Sequence, residues 1–349
     1  MFRKSVFGKS KIENKKSKNS NKKHRGENKM SSVNCIRSEF RSSNGKDTVA
    51  YYIYTPIASG DIKPKGIIQL SHGMCEYVRR YEHMAEYFCS KGYIFCGNDH
   101  LGHGATAADT DSLGFTSEGG GVDHIVNDLH TMTEIIKKAY PGIPVVLFGH
   151  SMGSFMARIY ITRYGKELAG AIICGTGGPD QPSKLAKLMA NSAIKCHGEH
   201  YRSEFINNLA FGSYNKRYGK NAPSAAWLSR DAAVIDAYMK DPFCTFTFTA
   251  RGFYDLFDAL SRVSSRKWAY SVPKTLPIFL VSGDCDPVGS YGNGVVKVYR
   301  RLKNAGIREL DFKLYRGARH ELQNEIPETR QRFFADILAH LDRWCAKNK

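Results

Sequence analysis

The sequence predicts an α/β protein built on a doubly wound, mostly parallel sheet, and three observations carry that reading. Short apolar runs, "GIIQLSHG" (66–73), "YIFCGND" (93–99), "PVVLFGH" (144–150), "AGAIICG" (169–175) and "PIFLVSGD" (277–284), have the length and composition of strands buried on both faces. Helical patterns separate them, so strand and helix alternate along the chain. At 349 residues the chain is long enough for a large core carrying an insertion or a second domain.

Taken in order, residues 1–30 form a basic tail. They hold 11 Lys and Arg against Glu13 and Glu27, a charge of +9, half of the +18 carried by the whole chain. So polar a stretch buries too little surface to offset the entropy of ordering and is expected to be disordered, a solvated extension for which Met30 is a candidate true start. "SVFG" is too short for a secretory apolar region. The remaining 319 residues are only moderately basic, and the tail lacks the interleaved aromatics that stack on single-stranded nucleic acid, so no nucleic-acid partner is expected.

Two β-rich runs flank Asn44-Gly45 and predict an antiparallel hairpin at the start of the fold. Farther on, Val122, Ile125, Val126, Leu129, Ile135 and Ile136 recur at helical spacing, as do Met152, Phe155, Met156 and Ile159; both patterns read as crossover helices. Phe333, Phe334, Ile337, Leu338, Leu341 and Trp344 give the last helix. The alternation is broken from about Pro179 to Pro273. This divides the chain into a core of residues 31–178 and 274–349 and a cap or lid insertion of residues 179–273. In the cap, Phe243, Phe246, Phe248 and Tyr254 stand in a crowd of aromatics that either packs a small core of its own or forms an apolar wall for an acyl chain.

The chemistry centres on "LFGHSMGSFM". An apolar strand precedes Ser151 and an amphipathic helix follows it, which is the strand-turn-helix setting of a nucleophile elbow. Gly149 and Gly153 relieve the crowding of so sharp a turn. The helix N-terminus behind the serine presents unpaired N–H groups where negative charge would develop. A serine needs a histidine base oriented by a carboxylate, expected on this scaffold in the order Ser, acid, His. "FLVSGDCDPVG" supplies Asp284 and Asp286 after a buried strand, and "LYRGARHELQNE" supplies His320 after the next.

With these residues in view the chain resembles the monoacylglycerol lipases and lysophospholipases of the α/β-hydrolase fold, a group that includes serine aminopeptidase-like sequences. The elements that match are "SHGMCEYVRRYEHMAEYF", "GNDHLGHGAT", "GHSMGS", "WLSRD", "SGDCDPVG" and "GARHELQNE", in family order over residues 71–325. The resemblance implies a Ser151, Asp286, His320 triad, with Asp284 bracing its loop, and an oxyanion hole made by the backbone N–H groups of Met74 and Met152. It implies a serine ester hydrolase acting on small-molecule acyl esters, with no cofactor and no metal, and it makes His72, His100, His103 and His150 structural loop residues. Aminopeptidase, amidase or acyltransferase activity would use the same triad, and a hydrolase-fold binding protein is the non-enzymatic alternative.

Nine cysteines, an odd number without C-x-x-C pairs, fit a reduced, cytoplasmic setting. No apolar run approaches the roughly 20 residues that cross a bilayer, so a peripheral contact with membrane lipid is the most that is expected.

Overall fold

The computed structural model describes residues 33–57, 63–219 and 221–347. The basic tail lies outside the described residues. The described residues form one compact unit.

Its frame is an eight-stranded sheet: β1 (Val33–Arg41), β2 (Thr48–Pro56), β3 (Ile67–Ser71), β4 (Ile94–Asn98), β5 (Val145–His150), β6 (Gly170–Cys174), β7 (Ile278–Gly283) and β8 (Leu310–Tyr315). The spatial order is β1-β2-β4-β3-β5-β6-β7-β8. The first pairings, β1 with β2 and β2 with β4, are antiparallel, and every other is parallel.

Five apolar runs became β3 to β7, and their alternation explains the two layers above and below. Val145 and Leu147 of β5, Ala171 and Ile173 of β6, and Ile278 and Leu280 of β7 point into one core. Their neighbours Val146 and Phe148, Ile172 and Cys174, and Phe279 and Val281 point into the other. The first core is closed by α2 (Gly121–Ala139) and α3 (Met152–Tyr164), the second by α1 (Glu82–Ser90) and α10 (Pro327–Ala346).

The hairpin is present, but Arg41 pairs with Thr48, so its loop is longer than a two-residue Asn-Gly turn. Ser42 Oγ and the Ser43 N–H each bond the Asp128 carboxylate of α2 at 2.7 Å, which draws the loop onto the helix. Asn44 Oδ1 accepts from the N–H groups of Lys46 and Asp47 and closes the turn locally.

Between β6 and β7 the chain is helical: α4 (Ser183–His197), α5 (Glu204–Phe211), α6 (Ala232–Lys240), α7 (Ala250–Val263) and α8 (Arg266–Ser271), followed after β7 by α9 (Asn293–Asn304). The later part of this interval is anchored in the main core, where Phe248, Phe253, Phe257 and Trp268 are buried with residues of α2 and α3. A small group, Ala225, Leu228 and Ile235 with Trp227 and Tyr238, clusters apart. Arg158 of α3 donates to the Val263 carbonyl at the end of α7 and stacks on Trp268, tying these helices to the sheet layer.

Asp255 of α7 is buried and accepts a hydrogen bond from Thr116 Oγ1. Burial pushes its carboxyl from an ordinary 3.8 up to about 7, although the Thr116 bond pulls the other way. The folded chain therefore holds a proton that the unfolded chain releases, and stability falls as pH rises from about 4 to about 7. Asp255→Asn should remove this dependence. Urea unfolding is expected to show the variant gaining on the wild type more at pH 8 than at pH 5; an equal difference at both would refute the assignment.

Candidate active site

The C-terminal ends of β3, β5, β7 and β8 carry the loops that meet at one cavity of 640 Å³, lined by Met74, Ser151, Met152, His320 and mostly apolar cap residues. Ser151 sits between β5 and α3 with φ 51° and ψ −122°, a conformation that L-residues rarely adopt. Its N–H donates to the Cys174 carbonyl at 3.0 Å, and its carbonyl accepts from the Ser154 N–H at 2.9 Å, so the backbone is held on both sides. The glycines are required by close approach. A Cβ on Gly149 would lie 2.6 Å from Ala157 Cβ, and one on Gly153 would collide with the Ser71 and His72 carbonyl oxygens.

Asp286 follows β7 and is fully buried. Its Oδ2 accepts from His320 Nδ1 at 2.9 Å and from Ser282 Oγ at 3.2 Å, and its Oδ1 accepts from the Val288 N–H at 2.9 Å. With Nδ1 donating to the carboxylate, the other ring nitrogen of His320 is left as an acceptor. Asp284 does something different: its Oδ1 accepts from the Gly317 N–H at 2.7 Å and braces the loop after β8 against the loop after β7. No hydrogen bond joins Ser151 Oγ to His320 among the described residues, though both side chains border the cavity. Such contacts often tighten only with substrate bound.

The N–H groups of Met74 and Met152 have no protein partner among the described residues, that of Met152 because it opens α3. Both residues line the cavity. Gly73, just before Met74, lies so close to the elbow that a Cβ there would be 3.0 Å from Ser151 Cβ.

Of the four aromatics expected to form the acyl wall, only Phe246 lines the cavity. Phe243 is 39% exposed and stands edge-on to Tyr77. Phe248 is turned into the core between His103 and Phe253. Tyr254 lies on a face of α7 that it shares with Arg251 and that meets Lys187 of α4. The apolar lining comes instead from Phe155, Phe211, Phe257 and Trp227, with Leu185, Leu209, Leu256, Leu260, Met189 and Met239. Helix rotation decides this: Leu256, Phe257 and Leu260 share the inner face of α7, and Tyr254 does not.

Sequence reasoning gave no role to a buried ionic cluster behind the site. Glu76 Oε1 accepts from Tyr81 at 2.8 Å and is 2.9 Å from His150 Nδ1, and its Oε2 accepts from Arg80 at 3.1 Å. Arg80 also binds both oxygens of Glu321, next to His320, at 2.9 Å each. Burial alone would raise the Glu76 carboxyl, but His150 and Arg80 hold it well below the usual carboxylate range. Burial would likewise lower His150, and Glu76 overrides it and raises that imidazole. The only signal in the sequence was the i, i+4 spacing of Glu76 and Arg80. His72, His100 and His103 form a separate group, with the rings of His72 and His100 4.1 Å apart. Burial lowers His100 to about 3 and His103 to about 4, which keeps these two neutral. Among the described residues no set of three or more His, Cys, Asp or Glu is arranged to hold a metal ion.

A strained serine at a helix N-terminus, a histidine oriented by a buried carboxylate, and free N–H groups beside an apolar cavity define the class: an α/β-hydrolase. Residues 62–327 match the family described as serine aminopeptidase, S33, and the chain belongs to that family. It is a carboxylic ester hydrolase. It is 28% identical over 287 residues to the human monoglyceride lipase, covering 78% of this chain and 81% of the relative. To the monoacylglycerol lipase of Mycolicibacterium smegmatis it is 26% identical over 294 residues, 84% of this chain and 93% of the relative. Among solved structures, a thermostable carboxyl esterase from Bacillus coagulans in complex with glycerol superposes with a TM-score of 0.83 at 33% identity, covering 89% of this chain and 99% of that one.

Gly153→Ala is expected to abolish activity and lower stability, because the added methyl group meets backbone rather than a movable side chain. Activity and thermal unfolding measured together test this; a stable variant with wild-type turnover would contradict the packing described.

Proposed function

We propose that the protein hydrolyses esters bearing an acyl chain, monoacylglycerols or lysophospholipids, through a Ser151, His320, Asp286 triad and a covalent acyl-enzyme. The observation that carries the reading is the bond from His320 Nδ1 to buried Asp286 at the edge of an apolar cavity shared with the strained Ser151.

In this reading His320 Nε2 takes the Ser151 proton as Oγ attacks the ester carbonyl, and Asp286 stabilises the imidazolium without itself being protonated. The Met74 and Met152 N–H groups receive the developing oxyanion. His320 then gives its proton to the leaving alcohol, and water, activated by the same base, releases the acid.

The apolar cap lining supports an acyl chain as the part of the substrate held there. The names of the relatives support a glyceryl ester. One observation favours an ester over a peptide with a free amino terminus. The two carboxylates on the cavity wall, Glu76 and Glu321, are already paired with His150 and Arg80, and among the described residues they leave no free anion for an ammonium group. Leu185, Leu209 and Met239 line the cavity while 61%, 53% and 42% exposed, which supports a peripheral contact of the cavity mouth with lipid. Among the described residues no helix is long and apolar enough to cross a membrane.

Ser151→Ala should lower kcat on a glyceryl monoester by on the order of 10⁴ to 10⁶. Asp286→Asn should cost on the order of 10⁴, while Asp284→Asn stays within a few-fold; reversal of the two aspartates would overturn the assignment of the acid. Across p-nitrophenyl and glyceryl esters, kcat/KM should rise from acetate to long acyl chains, and an optimum at acetate would count against the apolar wall as the acyl site.

A further inference from the structure

The motif "WLSRD" lies in the cap, yet its contacts run to the loop that carries His320. The His320 N–H donates to the Trp227 carbonyl at 3.3 Å and the Glu321 N–H to the Leu228 carbonyl at 2.8 Å. Ser229 Oγ donates to the Asn324 carbonyl at 2.8 Å. Beside them the Glu325 carboxylate is fully buried and saturated. Its Oε2 accepts from Arg230 Nε at 2.9 Å and from the Ile326 N–H at 3.0 Å; its Oε1 accepts from the Arg230 N–H at 3.3 Å and from the Arg319 N–H at 2.8 Å. One buried anion thus joins the cap, the residue immediately before His320, and the start of α10. The Trp227 ring also bears on the His320 ring, with centroids 4.9 Å apart, and is itself backed edge-on by Tyr214 at 5.0 Å.

We propose that the cap segment 226–230 is a clasp that sets the position of the His320 imidazole, with Arg230 and Glu325 as its lock and Trp227 as the surface against which the ring rests. The proposal rests on the triad reading, and it makes Arg230, Glu325 and Trp227 positioning residues. A base tethered only by Asp286 can still swing about that bond. The backbone pairing at 320 and 321 and the indole remove that freedom, and small misplacement of a base costs rate far more than binding. Removing the Arg230 guanidinium leaves the Glu325 carboxylate buried without its only side-chain donor among the described residues, so the loop must shift to rehydrate it.

The test compares Arg230→Met and Arg230→Lys in the full chain on a short, soluble p-nitrophenyl ester, with Ser151→Ala as a control. Arg230→Met should lower kcat at least tenfold while KM moves less than threefold, and it should broaden or shift the downfield proton resonance of the His320 to Asp286 hydrogen bond. Arg230→Lys should recover at least half of the lost kcat. A kcat within threefold of wild type, or a loss carried by KM alone, overturns the clasp. If Arg230→Met fails to fold, Trp227→Leu decides, because only backbone atoms of Trp227 make the clasp hydrogen bonds: a kcat reduced at least fivefold supports the proposal and one within twofold overturns it. An active Ser151→Ala would overturn the triad itself. An inactive Ser151→Ala beside an unchanged Arg230→Met overturns the clasp alone.

Discussion

The turn at Ser151 is the constraint around which the site is arranged. For the chain to leave β5 and enter α3 within one residue, Ser151 must take a positive φ, and Gly153 must press α3 against the backbone of Ser71 and His72. The parallel packing of β3 beside β5 brings that backbone there. The same closeness sets Gly73 against Ser151 and leaves the next N–H, that of Met74, free beside it. Strain at one residue is therefore sustained by the packing of a sheet and a helix on either side, with buried Phe148, Leu147, Met156 and Ala157 fixing their separation.

Around this turn, charge is handled in two ways. Behind the elbow, Glu76, Arg80, His150 and Glu321 bring two carboxylates, a guanidinium and an imidazole together with little access to water. Burial of that kind is costly unless hydrogen bonds are complete, and here Tyr81 and Asn324 complete them. The cluster spans from the loop after β3 to the loop after β8, so it links the proposed oxyanion donors to the proposed base. Beneath the neighbouring loop, His100 and His103 are kept neutral by burial and serve as packing and hydrogen-bonding groups. The cap is joined to this assembly at residues 226–230 and through α7, which lies in the main core.

What was legible in the sequence was local. The five apolar runs, the elbow at Ser151 and the position of His320 after β8 each follow from patterns within about ten residues. The choice between Asp284 and Asp286 was not visible from the residues, since both follow the same strand; it depends on which carboxylate meets Nδ1 of His320 and which meets the Gly317 N–H. Which residues form the cavity wall was not legible for a related reason. Aromatic crowding over residues 243–257 predicts burial, yet Phe243 stays exposed, and the rotation of α7 and the path into it decide which of the others face the cavity. The partnership of Glu325 with Arg230 joins residues 95 apart in sequence and has no local signature at all.

Ser151 is the residue proposed to become acylated. Brief reaction of the wild-type protein with a long-chain p-nitrophenyl ester, acid quenching and peptide mapping by mass spectrometry tests it directly. The predicted result is a single acyl adduct on the peptide containing Ser151, absent in Ser151→Ala. An adduct on a different residue, or continued turnover by Ser151→Ala, would contradict it.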